Sequence, residues 1–544
     1  MTQGRPPTAR RVSRRQLLKV AALGSAAVVV TAALDQLAVA MPAVVEVRAP
    51  EPSPPQRRTF RSRPDLAPPV VSTARRPRAP IQSGLVLLTP GNGVAPDGPM
   101  IVTDAGEPVW VHPVPGRQAA NLRVGTYQDR PVLTWWEGSI ATGYGRGEYV
   151  IADRQYREIT RVHAGNGLEG DLHEFLIGPD DTAYFLATRT VQATMPAPPT
   201  PPPSASPTTS PTTSPPSVPL PLGGTPNPTV AASAIPEPAA TIVGPVLEGV
   251  VQRVDIASGQ VLFEWHSLPA IDPSESYQPV PTDGSPYDYL HANSIELDGN
   301  GGLVVSARHT WTVYRIDMAS GEISWRLNGK RSDFTLPRNA QFAWQHDARV
   351  HANGTLSLFD DGASGPPPQF ESRSRGIVLA LDQAAKTGRL VRSYVHPENI
   401  LVMSQGSLEL LPNGGAFVGW GASPRFTEFD PTGNVAIDGS FAAASQSYRS
   451  FLQPWVGRPA DPPDVVVDRS ALQARLWVSW NGVTGVAAWQ VLDPYAEIGS
   501  PLASTPSTGF ETSVAVPDGV ARVVVRAVDA SGLELGRSGV IALA

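Results

Sequence analysis

A short alternation of apolar and polar residues recurs along the middle of the chain. Each copy has an apolar stretch, an aspartate, a turn of small or polar residues, and a second apolar stretch that often carries an aromatic side chain. The copies read VTDAGEPVWVH, IADRQYREITRVH, RVDIASGQVLFEW, RIDMASGEISWRL, ALDQAAKTGRLVRSY and EFDPTGNVAIDGS. The pattern predicts two strands joined by a tight turn, because Asp, Asn, Ser and Gly supply the backbone conformations that hairpin turns need.

The spacing of these copies indicates the fold class. Their aspartates are Asp104, Asp153, Asp255, Asp317, Asp382 and Asp430. Repeats of roughly 50–65 residues that are rich in strands are typical of β-propellers with one blade per repeat. The sequence therefore predicts an all-β protein with a six-bladed β-propeller over residues 81–455, in which each repeated hairpin is the outer half of a blade.

One gap between copies is longer because it contains a low-complexity insert. Residues 192–240 include 16 prolines among many Ser and Thr residues. Such a composition cannot bury enough apolar surface to form a packed core, so we expect this Pro/Ser/Thr insert to be disordered.

A histidine opens the predicted inner strand in three neighbouring repeats. The hairpins before the outer ones read HEFLIGPDDTAYFLATR, HANSIELDGNGGLVVSAR, HDARVHANGTLSLFDD and GSLELLPNGGAFVGWG. In each hairpin the turn Asp or Asn lies seven residues after the first residue, so His173, His291, His346 and Gly406 are equivalent positions. Since innermost strands line the channel of a propeller, we expect the three histidines to meet at one mouth.

Two arginines end the paired second strands of the first two hairpins. Arg189 and Arg308 close the matching segments FLATR and VVSAR, so we expect both near the same mouth. Imidazole, guanidinium and amide donors together form a cradle for an anion, and a further imidazole can attack an electrophile or move protons. Three histidines can instead bind Zn²⁺ or Cu²⁺, although no H-E-x-x-H motif or close acidic cluster accompanies them.

The absence of cysteine and the distribution of charge exclude several classes of site and partner. The 544 residues include no Cys, which excludes disulfides, zinc–thiolate sites, iron–sulfur clusters and a thiol nucleophile. The net charge of −6 is uneven: residues 1–80 hold 14 Lys and Arg against four Asp and Glu, so the rest of the chain carries −16. An acidic body argues against broad binding of nucleic acid.

Residues 1–40 have the layout of an export signal. The basic run RRVSRRQLLK precedes an apolar stretch from Val20 to Leu34, and Ala38-Val39-Ala40 offers a cleavage site. The run resembles the twin-arginine signal of bacteria, which predicts a partnership with that export machinery and a periplasmic, cell-envelope or extracellular location. An uncleaved membrane anchor is the alternative, although the apolar stretch is short for one. Residues 41–80, rich in Pro and Arg, are expected to form a flexible linker.

The carboxy-terminal residues 460–544 predict a second domain. Alternating segments such as RLWVSWNG, VAAWQVLD and ARVVVRAVDASG are separated by Gly, Pro and Asp turns. The L-x-V-S-W opening resembles a small fibronectin type III-like β-sandwich. We expect either a structural appendage of the propeller or an adhesion module for carbohydrate or cell wall.

The segments LHANSIELDGNGGLVVSARHTWTVYRID, WQHDARV and SLELLPNGGAFVGWG carry a resemblance to a known family. From about Gly84 to Phe441 the chain resembles the bacterial arylsulfotransferase (arylsulfate sulfotransferase) family. The resemblance implies a six-bladed propeller without a cofactor. It also implies transfer of a sulfuryl group, independent of PAPS, from a phenolic sulfate ester to a phenol through a sulfo-histidine intermediate.

The resemblance also assigns roles to individual residues. His346 matches the nucleophile that is transiently sulfated, and His291 with Asn293 matches the sulfate-binding His-x-Asn. Arg308 matches a further sulfate ligand, His173 matches another channel histidine, and a late hydroxyl residue corresponds to Ser404 or Ser407. From the residues alone, two other functions remain open: a non-catalytic propeller of the cell envelope that binds a ligand or protein, and a metal-dependent hydrolase or lyase.

Overall fold

The computed structural model describes residues 57–91, 98–198, 240–364, 369–441, 445–470, 473–495 and 500–543. The predicted all-β class is confirmed: within these ranges the regular elements are strands, apart from two 3₁₀ turns at Pro273–Glu275 and Arg338–Ala340. No helix in this described part is long and apolar enough to cross a membrane. The predicted signal peptide of residues 1–40 lies outside the described residues.

Antiparallel strands follow one another in groups of four. The first strands are β1 (Ser72–Arg75), β2 (Leu85–Leu88), β3 (Met100–Val102) and β4 (Pro108–Val111). Next come β5 (Gln118–Tyr127), β6 (Arg130–Ala141), β7 (Tyr144–Ala152), β8 (Glu158–Val162), β9 (Gly170–Ile177), β10 (Thr182–Pro196), β11 (Thr241–Asp255) and β12 (Val261–His266), which share one eight-stranded sheet. Because the second and third repeats are joined in this way, the number of blades stays a prediction.

The next three groups form separate sheets. Their strands are β13 (Ala292–Leu297), β14 (Gly302–Ala307), β15 (Thr312–Asp317) and β16 (Ile323–Leu327); β17 (His346–Val350), β18 (Thr355–Asp360), β19 (Arg375–Asp382) and β20 (Thr387–Tyr394); and β21 (Ser407–Leu410), β22 (Ala416–Gly419), β23 (Arg425–Phe429) and β24 (Val435–Ser440). Each repeated Asp hairpin is the outer strand pair of its group, as expected from the sequence.

The two ends of this segment meet in one sheet. Strand β25 (Phe451–Gln453) pairs antiparallel with β2, giving the strand order β25-β2-β3-β4. In a separate five-stranded sheet, β1 pairs antiparallel with β24 at the outer edge of the β21–β24 group. The late chain therefore supplies the inner strand of the earliest sheet.

The interior lies between neighbouring sheets. Val304 and Val313 from one sheet pack with Leu356, Leu358 and Ile377 from the next, and all five are buried. Inner strands such as β14 and β22 are buried along their whole length, since a sheet buried on two sides needs near-continuous apolar sequence. Outer strands such as β20 instead alternate exposed and half-buried residues. This packing fixes the starts of the inner strands, where the candidate site lies.

The predicted linker of residues 41–80 is corrected for the part that the structure describes. Residues 57–80 include β1, and the side chains of Phe60, Leu66 and Val71 are buried in a core cluster with Phe417. Apolar residues between the prolines explain the difference, because they bury surface that a solvated linker would expose. Residues 41–56 lie outside the described residues. Of the predicted insert, residues 192–196 continue β10, and residues 199–239 also lie outside the described ranges.

The carboxy-terminal region has two antiparallel sheets with a shared core. One has the order β26-β27-β30 and the other β29-β28-β31-β32, with β33 at its side. The strands are β26 (Asp464–Asp468), β27 (Arg475–Ser479), β28 (Ala488–Leu492), β29 (Ala503–Pro506), β30 (Glu511–Ala515), β31 (Arg522–Val528), β32 (Glu534–Arg537) and β33 (Ile541–Ala542). The class of this sandwich stays a prediction.

Candidate active site

A cavity of about 600 Å³ opens where the inner strands begin. Its charged and titratable lining consists of His173, Asp288, His291, Arg308, His309, His346 and Tyr448. Three of these histidines were predicted from the repeats, and the structure brings them to one cavity together with Arg308.

Local strand geometry places the three histidines at this depth. His346 is the first residue of β17, His291 immediately precedes β13, and His173 lies in β9. His291 has a left-handed backbone with φ of 50°, a conformation that costs energy for a non-glycine residue and is concentrated at functional sites. Its carbonyl accepts a hydrogen bond from the backbone N–H of Arg308, which holds the two residues together across the hairpin.

Each of the three imidazoles has a carboxylate partner on Nδ1. The Nδ1–carboxylate distances are 2.5 Å for His173 with Asp171, 2.7 Å for His291 with Asp288, and 2.7 Å for His346 with Asp361. A carboxylate that accepts a proton from Nδ1 fixes the tautomer and leaves Nε2 as the nitrogen that is free to act. The cavity is therefore lined by imidazoles whose second nitrogen is oriented by the protein.

The protonation of His346 follows from its second contact. The backbone N–H of Gln405 donates to Nε2 of His346 at 3.2 Å. Because an amide can only donate, Nε2 carries a lone pair and the proton lies on Nδ1, shared with Asp361. The ring is almost completely buried, and burial together with the nearby Arg308 lowers the pKa of His346 well below its usual value. His346 is thus a neutral imidazole with a basic nitrogen at the cavity.

Arg308 is a fixed cation in the same cavity. Its guanidinium donates to Nε2 of His309 at 2.9 Å and to the Met403 carbonyl at 2.7 Å, and it lies 5.1 Å from the Trp344 ring centre. Among the residues that the structure describes, none is a hydrogen-bond partner of the buried Nε atom of Arg308. A guanidinium held in this way is preorganised to receive the oxygens of an anion.

One group of side chains in the described part of the chain has ligand atoms close enough together to hold a metal ion: Asp288, His291 and His309. The contact from Arg308 argues against that use of His309. Since Arg308 donates to Nε2, the single proton of neutral His309 lies on Nδ1, where it is donated to the Asp288 carbonyl at 2.6 Å. Burial lowers the pKa of His309 to about 3, so the ring is neutral. Its Nδ1 is therefore a donor in this arrangement and offers no lone pair to a metal.

Two predicted site residues, Arg189 and Asn293, do not line the cavity. Arg189 does not line the cavity, because its guanidinium contacts the carboxylate of Glu248 at 2.7 Å on the β10–β11 ribbon. Asn293 is fully buried behind the lining, and its Nδ2 donates to the Gln345 carbonyl at 2.6 Å.

The two hydroxyl candidates are also separated. Ser404 lines the cavity, whereas Ser407 is fully buried and donates to the Ser450 carbonyl at 2.9 Å. The reason is the strand boundary: Ser407 is the first residue of β21 and points into the sheet, whereas Ser404 lies in the preceding loop.

Sequence reasoning missed the carboxylates and aromatic residues around the histidines. Asp171 and Asp288 lie two and three residues before their histidines, and such short spacing was a usable signal. Asp361 follows β18 and meets His346 only through strand pairing, so no local pattern shows it. Tyr144 and Tyr448, whose rings contact His173 at 5.6 Å and 5.2 Å, come from distant parts of the chain.

Comparison with known proteins agrees with the class of site. Residues 239–442 match the family model described as arylsulfotransferase (ASST). The match covers less than half of the chain, and over these residues it confirms the resemblance to the arylsulfotransferases, a family of sulfotransferases, that was drawn from the sequence. The matched segment includes His291, Arg308 and His346, but it begins after His173.

Solved structures add only distant similarity. A protein of unknown function from Bacteroides caccae is 16% identical, with 65% of this chain and 93% of that chain covered and a TM-score of 0.35. A protein of unknown function from Dyadobacter fermentans is 11% identical, with 70% and 94% covered and a TM-score of 0.33. No curated protein matches this chain.

Proposed function

We propose that this protein is an exported arylsulfate sulfotransferase that moves a sulfuryl group from a phenolic sulfate ester to a phenol through a sulfo-histidine at His346. The observation that supports it most strongly is the unprotonated Nε2 of His346, buried in the same cavity as the fixed guanidinium of Arg308. The family match over residues 239–442 supports the reaction class.

In the first half-reaction, Nε2 of His346 attacks the sulfur of the donor ester. The N–S bond forms as the S–O bond to the aryl group breaks, and the electron pair of that bond leaves with the phenolate. Arg308 stabilises the charge on the sulfuryl oxygens, a kind of preorganised contact that is worth about 3 kcal/mol in other enzymes. Once Nε2 is bonded to sulfur, the Gln405 N–H loses its acceptor and is free to donate to a sulfuryl oxygen.

In the second half-reaction, the acceptor phenol gives its proton to His173 or His291, and its oxygen attacks the sulfur. The N–S bond breaks, its electron pair returns to Nε2, and neutral His346 is restored. The departing phenolate of the first half-reaction takes its proton from water, and the imidazolium formed in the second half-reaction returns a proton to water, so that the imidazole is neutral again in the resting state. General acid–base catalysis of this kind contributes typically 10²–10⁴-fold.

The cavity is large enough for this exchange. Its volume of about 600 Å³ lies in the range of sites that hold a drug-sized ligand. Export by the twin-arginine route rests on residues 1–40 of the sequence. Fractionation of cells that produce the full chain, with Arg14 and Arg15 both changed to Lys as the matched control, tests the route.

The reaction itself is tested with 4-nitrophenyl sulfate and phenol. We expect release of 4-nitrophenol that depends on phenol, with phenyl sulfate as the second product. His346→Ala should abolish release and labelling, whereas His163→Ala, at a half-exposed histidine outside the cavity, should keep wild-type rates. Mass spectrometry of protein quenched without acceptor should find the sulfuryl group on the His346 peptide. A wild-type protein that is inert toward a panel of aryl sulfates would contradict the proposal and favour a binding function.

A further inference from the structure

Asp288 contacts three of the residues around the cavity at once. It lies in the loop between β12 and β13, close before His291. Its Oδ1 accepts from the Tyr144 hydroxyl at 2.7 Å, its Oδ2 accepts from Nδ1 of His291 at 2.7 Å, and its carbonyl accepts from Nδ1 of His309 at 2.6 Å. Side chain and backbone of one residue therefore fix two imidazole rings.

The second of these imidazoles reaches Arg308. Because the Asp288 carbonyl holds the proton of His309 on Nδ1, Nε2 of His309 is left as an acceptor, and Arg308 donates to it at 2.9 Å. The opposite side of the guanidinium is held by the Met403 carbonyl. The orientation of Arg308 thus depends on a contact that begins at Asp288.

We propose that Asp288 is a positioning residue that orients both the proton-transferring His291 and, through His309, the anion-binding Arg308. This inference rests on the proposed sulfotransferase function. When His291 takes a proton from the acceptor phenol, the carboxylate of Asp288 stabilises the resulting imidazolium. In the resting state the same carboxylate keeps Nδ1 protonated, so that Nε2 is the basic nitrogen.

Among the groups around His291, the carboxylate of Asp288 is the one that stabilises a positive charge on the imidazole ring. Burial lowers the pKa of His291, and neighbouring Arg308 and His173 lower it further, whereas Asp288 raises it. The remaining groups that face the ring are Tyr144 and His309, both neutral at ordinary pH. Without Asp288, the pKa of His291 falls.

The test compares Asp288→Asn with Asp283→Asn, a change in the same loop at an exposed carboxylate that contacts only Ser285 in the described part of the chain. We expect Asp288→Asn to lower kcat/KM for the nitrophenyl ester about 10- to 100-fold, with most of the loss in kcat. The pH dependence that reports protonated His291 should move to lower pH. Asp283→Asn should match the wild type in rate and pH profile.

A readout that does not need turnover separates this proposal from the function it rests on. In ¹⁵N NMR spectra of the wild-type protein, we expect His291 and His309 to be protonated on Nδ1. We expect Asp288→Asn to disturb the tautomer of His291, whereas His309 should stay protonated on Nδ1 because the backbone carbonyl that accepts its proton is kept. Wild-type histidines protonated on Nε2, or a stoichiometric metal on the purified protein, would overturn the positioning role even if the enzyme is active. An inert wild type with the expected tautomers would overturn the sulfotransferase function alone. Unchanged kcat and pH profile in a folded Asp288→Asn variant would also contradict the proposal.

Discussion

Two sets of buried polar side chains share the same inner strands but differ in how their polar atoms are satisfied. Beside the cavity lies the central ion network, formed by Arg123, Glu174, Glu296, Asp347, Arg349 and Arg449. Glu174 follows His173 in sequence and Asp347 follows His346, so neighbouring residues of one strand enter different sets. In the network, every carboxylate contacts at least one guanidinium. In the cavity, His346 instead has Nδ1 against a carboxylate and a lone pair on Nε2 that accepts from the Gln405 N–H.

This difference separates charged groups that hold the fold together from polar groups that can take part in a reaction. Glu174 contacts Arg349 at 2.6 Å, Arg449 at 3.0 Å and Arg123 at 3.2 Å. Burial alone would raise the pKa of Glu174, but these arginines lower that pKa to about 2. Glu174 therefore stays ionised and paired with the arginines. Nε2 of His346, by contrast, keeps a lone pair whose contact is a neutral amide N–H at 3.2 Å. Buried ion pairs tie strands together, whereas a lone pair held by a weak neutral donor can react.

The largest expected effect comes from breaking the network. Glu174→Gln should lower the free energy of unfolding by about 3–5 kcal/mol, because three buried guanidinium groups lose their shared carboxylate. Urea unfolding of purified protein measures this change. Glu169→Gln, at an exposed carboxylate that pairs loosely with Arg146, is the control and should change stability by no more than about 0.5 kcal/mol. Equal stability of the two variants would show that the network is not structural.

A smaller effect, on activity rather than stability, is expected from the cavity side of the comparison. Arg308→Ala should lower kcat/KM by about 10²–10³-fold, since a preorganised donor to the transferring group is lost. The matched control is Arg189→Ala, whose guanidinium is about half exposed and paired with Glu248. Steady-state assays with the nitrophenyl ester should find the control unchanged. Equal losses in both variants would contradict the assignment of Arg308.

Glu409 is a buried carboxyl group whose hydrogen-bond donors are neutral, so its effect on stability should depend on pH. Within the described ranges, Glu409 accepts from the Leu452 amide and the Gln453 side chain, and burial raises its pKa to about 7. A raised folded-state pKa favours the protonated form, so the stability it contributes is present below about pH 4.5 and is lost as pH rises through 7. We expect Glu409→Gln to reduce the difference in unfolding free energy between pH 5 and pH 8 by up to roughly 3 kcal/mol. An identical pH dependence in both proteins would contradict this account.

The smallest expected effects distinguish the two serines. Ser404→Ala should change kcat/KM only a few fold, because it removes one neutral donor from the cavity, and it should leave stability unchanged. Ser407→Ala should do the reverse and cost about 1 kcal/mol of stability, because its hydroxyl bridges both the amide and the carbonyl of Ser450. Thermal unfolding and steady-state kinetics of both variants measure this, and a loss of activity only in Ser407→Ala would reverse the assignment.

The sequence predicted the repeated hairpins well because their information is local. Asp turns and alternating strands at Asp317 or Asp430 appear within a dozen residues, and the structure has strand pairs at each. His291 and His346 could be aligned for the same reason, since strand register transfers between repeats. Arg189 was expected near the mouth of the cavity, but its side chain pairs with Glu248 instead. The repeat gives a position along a strand and does not give the partner of the side chain.

Partners that come from other strands could not be predicted. Asp361 reaches His346 because β18 pairs with β17, and Gln405 reaches the same ring from the next sheet. The apolar residues near Leu66 were hidden by a Pro- and Arg-rich composition. In each case the missing information is a non-local contact, which one sequence does not encode in any window.

The pairing of β25 with β2 has a consequence for biogenesis. Tyr448 and Arg449, which touch the cavity and the central ion network, are translated only just before the strand that seals the first sheet. A ribosome-bound chain that lacks Phe451–Gln453 leaves β2 without its inner partner strand. Completion of the first sheet and of the cavity lining therefore occur late in synthesis and close together, and chains truncated before this strand are expected to be unstable.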